Sequence, residues 1–104
     1  NMENENKLAK VYEVKVSEDS LRFLTLSTGC TNASNFEVNV SYHTQESETL
    51  TELAIHLVKP DYCKAMPRVV SITMPVEFIV KGELKVINPE LELPNLKKRK
   101  RAGG

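Results

Sequence analysis

No stretch of this 104-residue chain approaches the ~20 apolar residues that a membrane-spanning helix needs. A glycine-rich phosphate loop, a Gly-x-Ser-x-Gly elbow and an acidic cluster with calcium-loop spacing are all missing, so no nucleotide, acyl-transfer or calcium chemistry is announced. There is no Cys-x-x-Cys and no His-x-x-x-His, so no metal-ligand pair is brought together locally. No internal repeat and no helix of normal length are required by the pattern. No secretory leader opens the chain at Asn1-Met2, and that absence decides nothing.

What is present is ordinary in bulk, with 40% apolar and 27% charged residues. A chain of this length makes one domain with one core and a slim stability margin, so a single covalent staple would matter. The formal net charge of zero hides an asymmetry. Up to Leu96 the chain carries nine basic against fourteen acidic residues, while Lys97, Lys98, Arg99, Lys100 and Arg101 form a basic block. Such a block is expected to be a solvated, disordered tail over 97–104. Its alternative role is an anion- or nucleic-acid-binding arm whose affinity fades with salt.

Residues 1–7, "NMENENK", are polar and aperiodic and are expected to be disordered, which leaves 8–96 for the folded domain. Within it the period is two. In 36–42 Phe36, Val38, Val40 and Tyr42 face one way and Glu37, Asn39 and Ser41 the other. Strands are expected at 10–17, 20–28, 36–42, 49–58, 68–74, 76–81 and 83–87. The 20–28 run is apolar on both sides, which suits an inner strand. The 49–58 run also fits a helical stripe, but its Thr, Ile and Val content favours a strand. Pro75 belongs at an edge or bulge and Gly82 at a turn or bulge. The sum is an all-β fold, a single antiparallel β-sandwich of immunoglobulin-like or related type with six to seven strands.

Cys30 and Cys63 both fall in loops just beyond strand ends, where a disulfide would not distort a sheet. Two other uses stay open beside that staple: a zinc or copper site adding His43 and His56, and a cysteine nucleophile with a histidine base. Both histidines follow the outward face of their strands and read as solvated.

Cys63 lies in "KPDYCKAMPR", residues 59–68. Pro60 and Pro67 stiffen both ends, and Asp61 can bond the backbone just ahead. Such a connection can close one end of a sandwich, with Tyr62 and Met66 covering the core. It can also serve as a recognition loop that presents Lys59, Tyr62, Lys64, Met66 and Arg68 at low ordering cost, as a protein protease inhibitor does. The sequence favours the first role.

The segments "TGCTNASNFEV", "KPDYCKAMPR" and "VINP" together resemble a group of small uncharacterised exported bacterial proteins. In that group a Gly-Cys-Thr…Phe segment accompanies a Pro-Asp-x-Cys-Lys-Ala-Met-Pro segment and a closing Asn-Pro. The likeness spans residues 28–89 and does not include the basic tail. It implies a periplasmic or surface location and a Cys30–Cys63 bridge, and it carries no activity with it. The expectation is therefore a non-enzymatic, periplasmic or secreted binding or accessory module. It would be a monomer without cofactor, and its partner a protein or an envelope component.

Overall fold

A computed structural model describes residues 7–94; the basic block at 97–101 and residues 1–6 of the polar start lie outside the described residues. Seven strands run in the order β1 (Lys7–Leu8), β2 (Val14–Val16), β3 (Ser20–Ser27), β4 (Phe36–Gln45), β5 (Glu48–Leu57), β6 (Arg68–Pro75) and β7 (Glu83–Val86). One 3-10 turn, Ala33–Asn35, precedes β4. The 49–58 run is thus a strand, and Lys7, expected to be disordered, pairs with Leu57 in β1.

The strands form two sheets, β2-β3-β6 and β1-β5-β4, with β7 added to β5. Because the side-chain period is two, each sheet turns one apolar set inward. Leu21, Phe23 and Ile72 come from the first sheet, Phe36, Leu53 and Ile55 from the second, and Ala9 and Val11 from the chain between them. The Phe23 and Phe36 rings meet edge to face at 5.1 Å across the sandwich. β3 is the inner strand of its sheet, flanked by β2 and β6. Pro75 ends β6 at the sheet edge, where a missing N–H costs nothing.

Two features differ from the expectation. Residues 76–81 form no strand: they carry the chain from one sheet to the other. Val76 and Phe78 still pack on the core, but the backbone is satisfied from the side. Val76 N–H bonds the Asp19 carbonyl at 3.0 Å, and the buried Thr51 hydroxyl bonds both Lys81 N–H and Lys81 C=O at 2.7 Å. Tyr42 Oη donates to the Ile79 carbonyl at 2.7 Å, under the Lys81 ammonium 4.8 Å from its ring centre. This crossover has a second consequence. It delivers β7 to β5 in parallel, the single parallel pairing among four antiparallel ones. Gly82 makes the last bend, at φ +73°, with a Cβ there falling 1.8 Å from the Thr49 carbonyl oxygen. Only glycine fits that approach.

One edge of β5 is shared by two strands laid end to end. β7 covers Leu50 to Leu53 and β1 covers His56 and Leu57. Asn88 fills the gap between them: its Oδ1 accepts Ile55 N–H at 2.9 Å, and its Nδ2 donates to the Ile55 and Ala9 carbonyls at 2.8 and 2.9 Å. A buried amide thus supplies the ladder bonds that neither strand reaches.

Candidate functional site

The 59–68 connection leaves β5 and enters β6 at the end of the sandwich where β3 stops. Its first residues are gripped by Asn35, a buried amide at the end of the 3-10 turn. The Asn35 carbonyl accepts the N–H groups of Val58 and Lys59, at 2.9 and 3.2 Å. Its Nδ2 donates to the Lys59 carbonyl at 2.7 Å, and its Oδ1 accepts Asn32 N–H at 2.9 Å.

Asp61 is the hub of the corner. Oδ2 accepts from Thr31 Oγ1 at 2.6 Å, Thr28 N–H at 3.0 Å, Cys30 N–H at 3.1 Å and Ser27 Oγ at 3.3 Å. Oδ1 accepts Cys63 N–H at 2.9 Å. One carboxylate therefore fastens 27–31 to 61–63, and the Cys30–Cys63 disulfide joins the same two segments covalently with Cα atoms 5.7 Å apart. Ala65 adds a third tie, N–H to the Thr28 carbonyl at 2.8 Å. Close approach is possible because Gly29, at φ +120°, has no side chain: a Cβ there would lie 3.2 and 3.3 Å from the Cβ atoms of Ala65 and Cys63.

The bonds from the Thr31 hydroxyl, and then from the N–H groups of Cys63, Cys30 and Thr28, hold the Asp61 carboxyl well below the usual carboxylate range. Partial burial works against them and loses. Folding lowers this pKa, so the stabilisation is present in full above the ordinary value of 3.8 and fades as pH falls through the lower, folded value. Asp61→Asn places an amide donor against a set of donors and is expected to destabilise the domain at neutral pH. The gap in urea midpoint between wild type and Asp61→Asn should stay constant from about pH 7 to 5 and close toward about pH 2. A gap that widens in acid would refute this assignment.

The chain alternates through the corner. Asp61 and Cys63 are half-buried, whereas Tyr62 is 79% and Met66 68% exposed, with Lys59, Lys64 and Arg68 exposed beside them. Tyr62 and Met66 thus do not cover the core. Tyr62 stands between the tied Asp61 and Cys63, and Met66 follows the tied Ala65 within an exposed run from 64 to 68. The five residues named from the sequence are all exposed along this one braced connection. The sequence pointed to Cys30, Cys63 and the local Asp61–Cys63 bond, but not to Asn35 or the reach of Asp61 to 27–31. A signal existed: "STGCT" leaves a strand end with several small polar residues in succession, whose N–H and O–H donors need an acceptor from elsewhere.

The metal alternative loses its thiolates, because both sulfurs are in the disulfide. Among the described residues, Cys30, Asp61 and Cys63 form the only group of three or more His, Cys, Asp or Glu side chains close enough to share an ion, and neither histidine belongs to it. His43 is exposed on β4 and lies 3.1 Å from Glu52 on β5. His56 is not solvated as expected; it is half-buried between Glu37 and Leu8 on adjacent strands. Its Nδ1 is buried without a hydrogen-bond partner among the described residues. The same sulfur bond removes a free thiol for nucleophilic catalysis.

A structural disulfide fits an oxidising compartment. Among the described residues no helix is long and apolar enough to cross a membrane. Comparison with protein-family models, with curated proteins and with solved structures found no match to this chain.

Proposed function

We propose that this chain is a non-enzymatic binding module, periplasmic or secreted, whose recognition surface is the 59–68 corner. The observation that carries this is the exposure of Tyr62, between the pinned Asp61 and Cys63, and of Met66, between the tied Ala65 and the start of β6 at Arg68. A large apolar side chain in water contributes nothing to folding, and here the fold holds two of them out. Tyrosine and methionine are enriched at protein interfaces, and a pre-ordered loop spares the entropy that a free loop loses on docking. Lys59, Lys64 and Arg68 give the surface a positive sign although the described body is acidic overall, which favours an acidic face on the partner protein or envelope component. The kinship suggested by the cysteine segments supports the same compartment. The basic block at 97–101 remains a separate candidate for anion binding; it predicts binding that a tail truncation abolishes.

Photo-crosslinking residues placed at positions 62 and 66 test the proposal, with a control at Ser41 on the outer face of β4. In cells producing the protein, one adduct of defined mass is expected at 62 and 66, absent at 41 and lost when Asp61→Asn loosens the corner. Adducts at 41 alone, or adducts indifferent to Asp61, would remove the corner as the recognition surface.

A further inference from the structure

Resting on that recognition surface, we infer that the corner is a substrate-like inhibitory loop whose Lys64–Ala65 peptide bond is offered to a serine protease of trypsin specificity. The bond is braced on both flanks by the 28–30 segment. On its N-terminal side Cys63 is bonded to Cys30 through sulfur and to Asp61 Oδ1 through its N–H. On its C-terminal side Ala65 donates its N–H to the Thr28 carbonyl at 2.8 Å and lies against Gly29. Between these ties the Lys64 side chain is exposed and in no ion pair among the described residues. A lysine in this setting suits a specificity pocket with a carboxylate at its base. Tyr62 and Met66, two residues to either side, are exposed as well, and Pro67 fixes the backbone just beyond.

These ties decide the fate of the bond once it is attacked. The protease serine oxygen adds to the Lys64 carbonyl carbon, and its proton passes to the protease histidine. The C–N bond to Ala65 then breaks, and the Ala65 nitrogen leaves as an amine carrying that proton. In an ordinary substrate this amine diffuses away and water completes hydrolysis. Here Ala65 remains bonded to Thr28 and packed on Gly29, while the acyl group is tethered through Cys63 to Cys30, beside Thr28. The amine stays at the acyl carbonyl, where it re-forms the peptide bond, expels the serine oxygen and returns the proton. High effective concentration favours this reversal over hydrolysis. The Ala65–Thr28 bond and the pairing of β3 with β6 cross the nick and keep the two halves of the chain together.

Steady-state inhibition of trypsin by the full chain, with chymotrypsin as counter-probe, tests this. Inhibition of trypsin is expected, with a single slow nick at 64–65 and both fragments staying together under native conditions but separating on denaturation with or without reduction, because Cys30 and Cys63 both lie before the nick. Lys64→Ala should weaken inhibition by about 100-fold or more, as expected for a central anchor. Lys64→Arg should retain it, and Lys64→Phe should transfer it to chymotrypsin. Lys85→Ala, on the outer face of β7, should change nothing. Lys64 is exposed, so unchanged melting of each variant shows that the fold is kept. Full trypsin activity at excess protein, rapid cleavage to a spent form, or inhibition that survives Lys64→Ala would each overturn the inference. If trypsin stays active while the adducts at 62 and 66 persist, only the protease target fails. If those adducts are missing too, the recognition surface fails with it.

Discussion

Replacing both Cys30 and Cys63 by serine is expected to lower the unfolding free energy by about 3–4 kcal/mol and the melting temperature by roughly 15–25 °C. The bond closes a span of 33 residues, and its effect falls mainly on the unfolded chain, whose freedom it restricts. In the folded state Asp61 holds the Cys30 and Cys63 N–H groups without help from sulfur, so the corner keeps its shape when the bond is absent. The remaining stability of a small domain, of ~5–10 kcal/mol at the start, leaves it folded at 25 °C but marginal. Urea titration should show a lower midpoint together with a steeper slope, since the uncrosslinked unfolded chain exposes more surface. A melting shift of only a few degrees would mean that the unfolded chain is already constrained by other contacts.

Asn88→Leu should cost about 2–5 kcal/mol although it keeps the number and branching of the side-chain heavy atoms. Asn88 bonds three backbone groups at a gap in the β5 edge. The Ile55 carbonyl keeps a partner in Ala9 N–H at 2.8 Å, but Ile55 N–H and the Ala9 carbonyl are left buried and unpaired. Each such group costs about 1–3 kcal/mol. Asn88→Asp is expected to be no better, since a second oxygen would face two carbonyls where the amide now donates. Thermal melting gives the total, and hydrogen exchange at the Ile55 amide locates it. Exchange there should accelerate well beyond that of Phe23, in the opposite sheet. Equal acceleration at both sites would indicate global loosening rather than a broken edge.

The strands of this protein were legible because alternation is a local property. Phe36, Val38 and Val40 face inward as their spacing requires, and both cysteines sit in loops, Cys30 shortly after β3 and Cys63 midway between β5 and β6, where a bridge fits without distorting a sheet. The 76–81 stretch shows the limit of the same rule. Val76 and Phe78 alternate and do pack on the core, yet the backbone between the sheets bonds to Asp19, Thr51 and the Tyr42 hydroxyl instead of to a strand. Alternation marks which side chains are buried; it does not say what their N–H groups bond to. His56 carries the same lesson, since an outward position on a strand need not be wet when adjacent strands supply Glu37 and Leu8.

By itself, the sequence determined an all-β chain, the two residues that would staple it and the ten-residue connection worth examining, because period, proline and cysteine placement are written along the chain. The sandwich with its one parallel strand, the keystone role of Asn88 and the single carboxylate that gathers 27–31 and 61–63 were decided only in three dimensions. So was the outward turn of Tyr62 and Met66, for which the sequence left a core-covering role beside a recognition role and favoured the first. In each case the deciding contact joins residues about thirty or more apart, or depends on one that does. No local pattern specifies which buried donor meets which acceptor across that distance.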